Sequence, residues 1–198
     1  MKLVTIPSSV KSIGDYAFDS CYGLTDMTIP TNVTTIGNGA FHHCSGLTSV
    51  TIPSSVTNIA GLAFADCSKL TSVVVPPNVT SIGGSAFAYC GRIESAVIPP
   101  SVTSIGNYAF ERCYDLETIY VNNGDVERVR GLYDWLGNVE FVEIVMPTVD
   151  DDPGAAVTGD PISGFIIKPS EEKSSVEVTI PQGVDAAKVT VKVSAKVA

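Results

Sequence analysis

The sequence is short of positive charge: 12 Lys and Arg stand against 21 Asp and Glu, for a formal net charge of −9. Nucleic-acid binders need a basic face to displace counterions, so this balance argues against a nucleic-acid partner. There is no polybasic patch for an anionic membrane surface, and no apolar run approaches the roughly 18–20 residues of a spanning helix. Met1 to Pro7 lacks the hydrophobic region of a signal peptide. No Gly-x-Ser-x-Gly elbow occurs, and Gly83-Gly84 is not followed by the Lys-Ser or Lys-Thr of a phosphate loop. Asp150, Asp151 and Asp152 lack the alternating spacing and terminal Glu that wrap a loop around calcium, so they read as solvated acids. These absences leave no catalytic residue, no cofactor and no resident metal to expect.

What is present is a repeat. Residue n laid beside residue n plus 23 puts Pro7, Pro30, Pro53, Pro76 and Pro99 in one column and Phe18, Phe41, Phe64, Phe87 and Phe110 in another. Cys21, Cys44, Cys67, Cys90 and Cys113 make a third, without a slip of register. A fixed period in the low twenties is the signature of a solenoid, in which each unit is one coil stacked on the last.

In the unit that begins at Leu47, apolar Leu47, Val50 and Ile52 alternate with small polar residues, the pattern of a short half-buried strand. Pro53 has no N–H for a ladder and so marks the corner after the strand. Ala63, Phe64 and Cys67, three or four apart, predict a single α or 3₁₀ turn, with Gly14, Gly37, Gly83 and Gly106 permitting a tight entry in their own coils. Ile6, Ile29, Ile52, Val75 and Ile98 and the five phenylalanines are the expected core.

The string Leu-x-x-Val-x-Ile-Pro-x-x-Val-x-x-Ile-Gly-x-x-Ala-Phe-x-x-Cys resembles the BspA-like leucine-rich repeat of bacterial and protozoan surface proteins. The resemblance implies a leucine-rich-repeat solenoid on secreted or cell-surface proteins that act in adhesion and binding, and carries over no catalytic residue. The fold expected is of α/β class: a parallel sheet with short helical turns, a helical C-terminal cap, then a linker and a truncated all-β segment.

Five repeats and a sixth, capping unit over 116–145 give a solenoid domain at 1–145. In that sixth unit, Leu116, Ile119 and Val121 open normally before Asn122-Asn123-Gly124 turns the chain. Asp125 reads as an N-cap, and Val126, Val129, Leu132, Tyr133 and Leu136 recur at helical spacing, with Trp135 as anchor and Val139 to Val145 as a closing strand. Residues 146–162, rich in Pro, Gly, Ala and Asp, read as a flexible acidic linker, and 163–198 as a partial β-domain. In that segment Phe165 to Ile167 and Val176 to Ile180 look like strands, and the latter is expected to pair with Lys188 to Val197. Met1 falls in the leucine column with no capping element before it, which predicts preceding repeats and a signal peptide elsewhere in a longer protein.

Five cysteines at one spacing would stand close enough in neighbouring coils for disulfides. Free buried thiols are the better expectation, because one columnar environment applies to all five and pairing leaves one over. His42 and His43 would stack beside Asp19 and Asp66, a weak surface metal site at most; adjacent histidines seldom aim at one ion, so solvated loop residues are expected.

The outward strand column runs Thr5, Thr28, Thr51, Val74, Val97, Tyr120, and changes from polar to apolar along its length. An apolar stripe on a regular sheet points to contact, so Val74, Val97 and Tyr120, bordered by Glu94 and Glu117, are the candidate partner-binding residues, with Tyr120 as anchor. The competing expectation is that the cap or the following segment covers Val97 and Tyr120 internally. The functional expectation is a non-catalytic module presenting its repeat sheet to a protein or glycan. A rigid spacer is the alternative, and a glycan-active enzyme a more distant one, since the strand-face columns hold few carboxylates.

Overall fold

A computed structural model describes residues 4–122, 126–130, 139–144, 166–169 and 176–179. Each coil has two short strands, because each repeat carries two apolar-polar alternations separated by a proline corner. One series is two residues long: β1 (Ser12–Ile13), β3 (Thr35–Ile36), β5 (Asn58–Ile59), β7 (Ser81–Ile82) and β9 (Ser104–Ile105). The other is longer: β2 (Asp26–Thr28), β4 (Ser49–Thr51), β6 (Ser72–Val74), β8 (Ser95–Ile98) and β10 (Thr118–Asn122). The short series forms one parallel sheet in the order β1-β3-β5-β7-β9. Pairing is in register with the repeat: Ile13 faces Ile36, Ile59 faces Ile82, and Ile82 faces Ile105. The longer series divides into β2-β4 and a sheet ordered β6-β8-β10-β11, where β11 is Glu140–Ile144.

Between the strand series the core is filled column by column. Phe41, Phe64 and Phe87 are fully buried and Phe110 nearly so, and the phenylalanine rings stack along the axis with centroids 5.1 to 5.4 Å apart. Ile29, Ile52, Val75 and Ile98 are buried as expected. Ile6 and Phe18 are only half-buried, because in the first coil they lack the covering rung that every later coil receives from the one before. At Gly106 and Gly83 the coils approach so closely that a Cβ would lie 2.4 Å from the backbone nitrogens of Gly84 and Gly61. Ala60 is the one departure from that glycine column.

The spacing of Ala63, Phe64 and Cys67 predicts a helical turn, and the structure corrects this: none of the Ala-Phe-x-x-Cys segments is helical. In the second coil the N–H groups of Ala40, His42 and Cys44 donate three residues back, to the carbonyls of Gly37, Gly39 and Phe41. Those of Gly39, Phe41 and His43 donate across to the next coil, to Gly61, Ala63 and Ala65. A helix needs consecutive N–H groups to turn the same way, and here every second one points to a neighbouring coil. The alternation is built with two left-handed residues per coil, such as Leu62 (φ 58) and Asp66 (φ 59) in the third. Nine of these positions are not glycine, each at a cost of about 1–2 kcal/mol. The cross-coil bonds satisfy backbone donors that burial would otherwise leave unpaired.

At the far end, β10 pairs parallel with β11, but with an offset of 22 residues: Tyr120 faces Val142. The segment expected to close the solenoid is thus a strand in the same sheet. Helix α1 (Val126–Arg130) is a single short turn with Val129 in the core. A helical cap over Asp125 to Leu136 is not supported beyond it, and Trp135, its expected anchor, lies outside the described residues, as does the 146–162 linker. In the 163–198 segment, β12 (Ile166–Pro169) pairs antiparallel with β13 (Val176–Thr179). The sequence reading instead pairs Val176 to Ile180 with Lys188 to Val197, which lies outside the described residues.

Because Phe64 stacks on a ring above and a ring below, Phe64→Ala should cost about 3–5 kcal/mol, measured by denaturant melting. The same change at half-buried Phe18 should cost clearly less.

Candidate functional site

The outward face of the longer strands changes along the axis. Thr28 and Thr51 are exposed and Val74 is half-buried, whereas Val97 and Tyr120 are buried. All four residues of β8 are buried, so both faces of that strand are covered. The solvent-facing apolar stripe read from the sequence therefore ends at Val74. Val97 stands in register with Tyr120, and Tyr120 with buried Val142. Burial, and next the carboxylate of Glu140, push the Tyr120 phenol up to about 12. Glu94 and Glu117 are exposed, as expected, and the structure adds a third rung: the Glu117 N–H donates to the Glu94 carbonyl and the Glu140 N–H to that of Glu117, at 3.0 and 2.7 Å. Glu140 breaks the 23-residue spacing, so the column pattern could not show it.

The larger accessible aromatic surface is on the turn side. Tyr16, Tyr22, Tyr89, Tyr108 and Tyr114 are exposed, from 42% for Tyr89 to 77% for Tyr114. Tyr16 and Tyr108 occupy one left-handed column and Tyr89 the other, while Tyr22 and Tyr114 share the column two residues on. Tyr89, Tyr108 and Tyr114 crowd the fourth and fifth coils, where the Arg112 guanidinium lies 5.1 Å from the Tyr89 ring centre. Sequence reading missed this edge because a helical turn would have sent these columns elsewhere. Five tyrosines confined to the variable columns were the available signal. His42 and His43, expected to be solvated, are brought with Asp19 and Asp66 into one cluster across three coils.

The profile of the BspA type leucine-rich repeat region matches residues 1–117 with six copies. The chain belongs to that family. A leucine-rich cell surface protein of Faecalibacterium prausnitzii is similar in structure, with 36% identity and a TM-score of 0.61 over 67% of this chain and 35% of that one. The T. pallidum leucine-rich repeat protein has 32% identity and a TM-score of 0.55, over 56% of this chain and 52% of its own. The pneumococcal vaccine antigen PcpA, at 21% identity and a TM-score of 0.58, shares the fold. This chain spans about a third to a half of the length of these relatives. No curated protein matches it significantly.

In this BspA-type solenoid the cysteine column is structural. All five cysteines are free, and the thiols of Cys44, Cys67, Cys90 and Cys113 each donate to a phenylalanine carbonyl of the preceding coil, at 3.1 to 3.3 Å. The column therefore calls for a small apolar side chain that also carries a donor, which alanine and valine lack. Burial pushes the Cys44 and Cys113 thiols up to about 12 and the Cys90 thiol well above its ordinary value.

A folded-state pKa above the unfolded one means that the unfolded chain loses its proton first as pH rises. Stability should be fully present below about 9, the ordinary thiol value, and fall as pH rises from there toward 12. Tyr120 acts in the same direction above about 10. Melting temperatures across that range check this, and a thiol reagent at neutral pH should titrate five cysteines in denatured protein but label the native column slowly.

Proposed function

We propose that this chain is a non-catalytic binding segment of a secreted or cell-surface bacterial protein, which presents its coils to a protein or glycan partner. The observation that carries the reading is the exposed set Tyr89, Tyr108 and Tyr114 beside Arg112, on an edge held rigid by the phenylalanine stack beneath. Tyrosine and arginine on a preorganised surface contribute contact area at small entropic cost, and both are enriched where binding energy concentrates. A tyrosine face also suits the apolar faces of sugar rings. The cell-surface description of the Faecalibacterium prausnitzii relative supports the location.

The strand side contributes a second part of the surface in this reading. Val74, Glu94 and Glu117 are accessible there, while buried Val97 and Tyr120 hold the strands that carry them. The unbroken short-strand ladder from β1 to β9 equally suits a stiff spacer that binds nothing. An array of host proteins and glycans separates the two. A binding segment should retain ligands that the Tyr89→Ala, Tyr108→Ala, Tyr114→Ala triple variant holds at least about tenfold more weakly, with its melting temperature nearly unchanged. No retention above background, or equal retention by the variant, would leave the spacer.

A further inference from the structure

We propose that Asp19, His42 and His43 form a binding site for a borderline divalent metal ion of the Zn²⁺ type, with Asp66 as the outer acceptor that orients both imidazoles. Asp19 comes from the first coil, the histidines from the second and Asp66 from the third. One ligand atom from each of Asp19, His42 and His43 lies within 4.8 Å of the others. Asp19 Oδ1 is 2.9 Å from His42 Nδ1, where the ring N–H donates to the carboxylate, and 3.7 Å from His43 Nδ1. Ligand atoms on a tetrahedral ion with bonds of about 2.0–2.1 Å stand about 3.3 Å apart, so these two spacings bracket the requirement. Two imidazoles and one carboxylate are a donor set that suits zinc, copper or nickel rather than calcium or magnesium.

Adjacent residues seldom converge, and here the backbone makes them do so. His43 has a left-handed φ of 55, and the two rings lie with centroids 3.7 Å apart, tilted by 44°. Both Nε2 atoms approach the same oxygen on the opposite side: Asp66 Oδ2 is 3.9 Å from that of His42 and 3.6 Å from that of His43. With a metal on the Nδ1 side each neutral ring keeps its proton on Nε2, and a small closure lets that proton bond to Asp66. This is the carboxylate–histidine–metal arrangement that fixes ring orientation and raises ligand basicity. Side-chain exposures of 21% for His42, 46% for His43 and 37% for each aspartate leave the ion an entry path and an open position for water. The repeat offers the set once: the same columns elsewhere hold Ala65, Ala88 and Glu111, and Ser20, Tyr89 and Arg112.

Calorimetric titration of the full chain with Zn²⁺ tests the assignment, with Co²⁺ absorption spectra identifying the donors. The expected result is one ion per chain, with a Co²⁺ spectrum free of thiolate charge-transfer bands. Asp19→Asn and His43→Asn should each weaken binding at least about tenfold; asparagine is chosen at position 43 because it tolerates the left-handed backbone. Asp66→Asn, which removes no ligand, should weaken it about 10–100-fold. No saturable Zn²⁺ binding, thiolate bands from the cysteine column, or an affinity unchanged by His43→Asn would overturn the proposal. Because the readout is metal affinity alone, it stands or falls separately from the tyrosine edge.

Discussion

Every second N–H in the turn segment has its acceptor in the next coil, and most other features of this solenoid follow from that commitment. Phe41 donates to Ala63, Phe64 to Ala86 and Phe87 to Ala109, so the phenylalanine rings are carried at the coil spacing and stack. The same bonds bring the Cys67 thiol to the Phe41 carbonyl and hold the glycine column against the backbone of the preceding coil. A single coil would leave those donors unpaired and its phenylalanine uncovered, which is why stability here belongs to the stack and not to the unit.

This constraint also makes the surface one-dimensional. A side chain's neighbours are those 23 residues before and after it, so chemistry arises where adjacent rungs of two columns happen to match. Asp19 meets His42, and His43 meets Asp66, in that way. Thr34, Thr48, Thr80 and Thr103 show the bland version, each hydroxyl donating to a carbonyl of the preceding coil. Change in these columns alters the surface without touching the core, the division of labour a binding scaffold needs.

Much of the core was legible in the sequence, because a column of phenylalanine or isoleucine at fixed spacing has no other explanation than stacking. The turn was not. Tyr16, Leu62, Asp66 and Arg112 carry no local sign that they adopt left-handed backbone, a conformation dictated by the neighbouring coil and not by their own propensities. Reading a helix there misplaced the exposed tyrosines and left the histidines as unrelated loop residues. Val97 and Tyr120 show a second limit: alternation correctly put them on the outward face, but only the fold reveals that this end of the sheet is covered. The 22-residue offset between β10 and β11 likewise hid Glu140 from any comparison by column.

The alternating backbone can be observed directly as scalar couplings across hydrogen bonds in an isotope-labelled sample. The account predicts couplings from the Phe41 nitrogen to the Ala63 carbonyl carbon and from the Phe64 nitrogen to that of Ala86, each 22 residues ahead. Couplings from those nitrogens to carbonyls three or four residues back in the same coil would show a helical turn instead, and would contradict it.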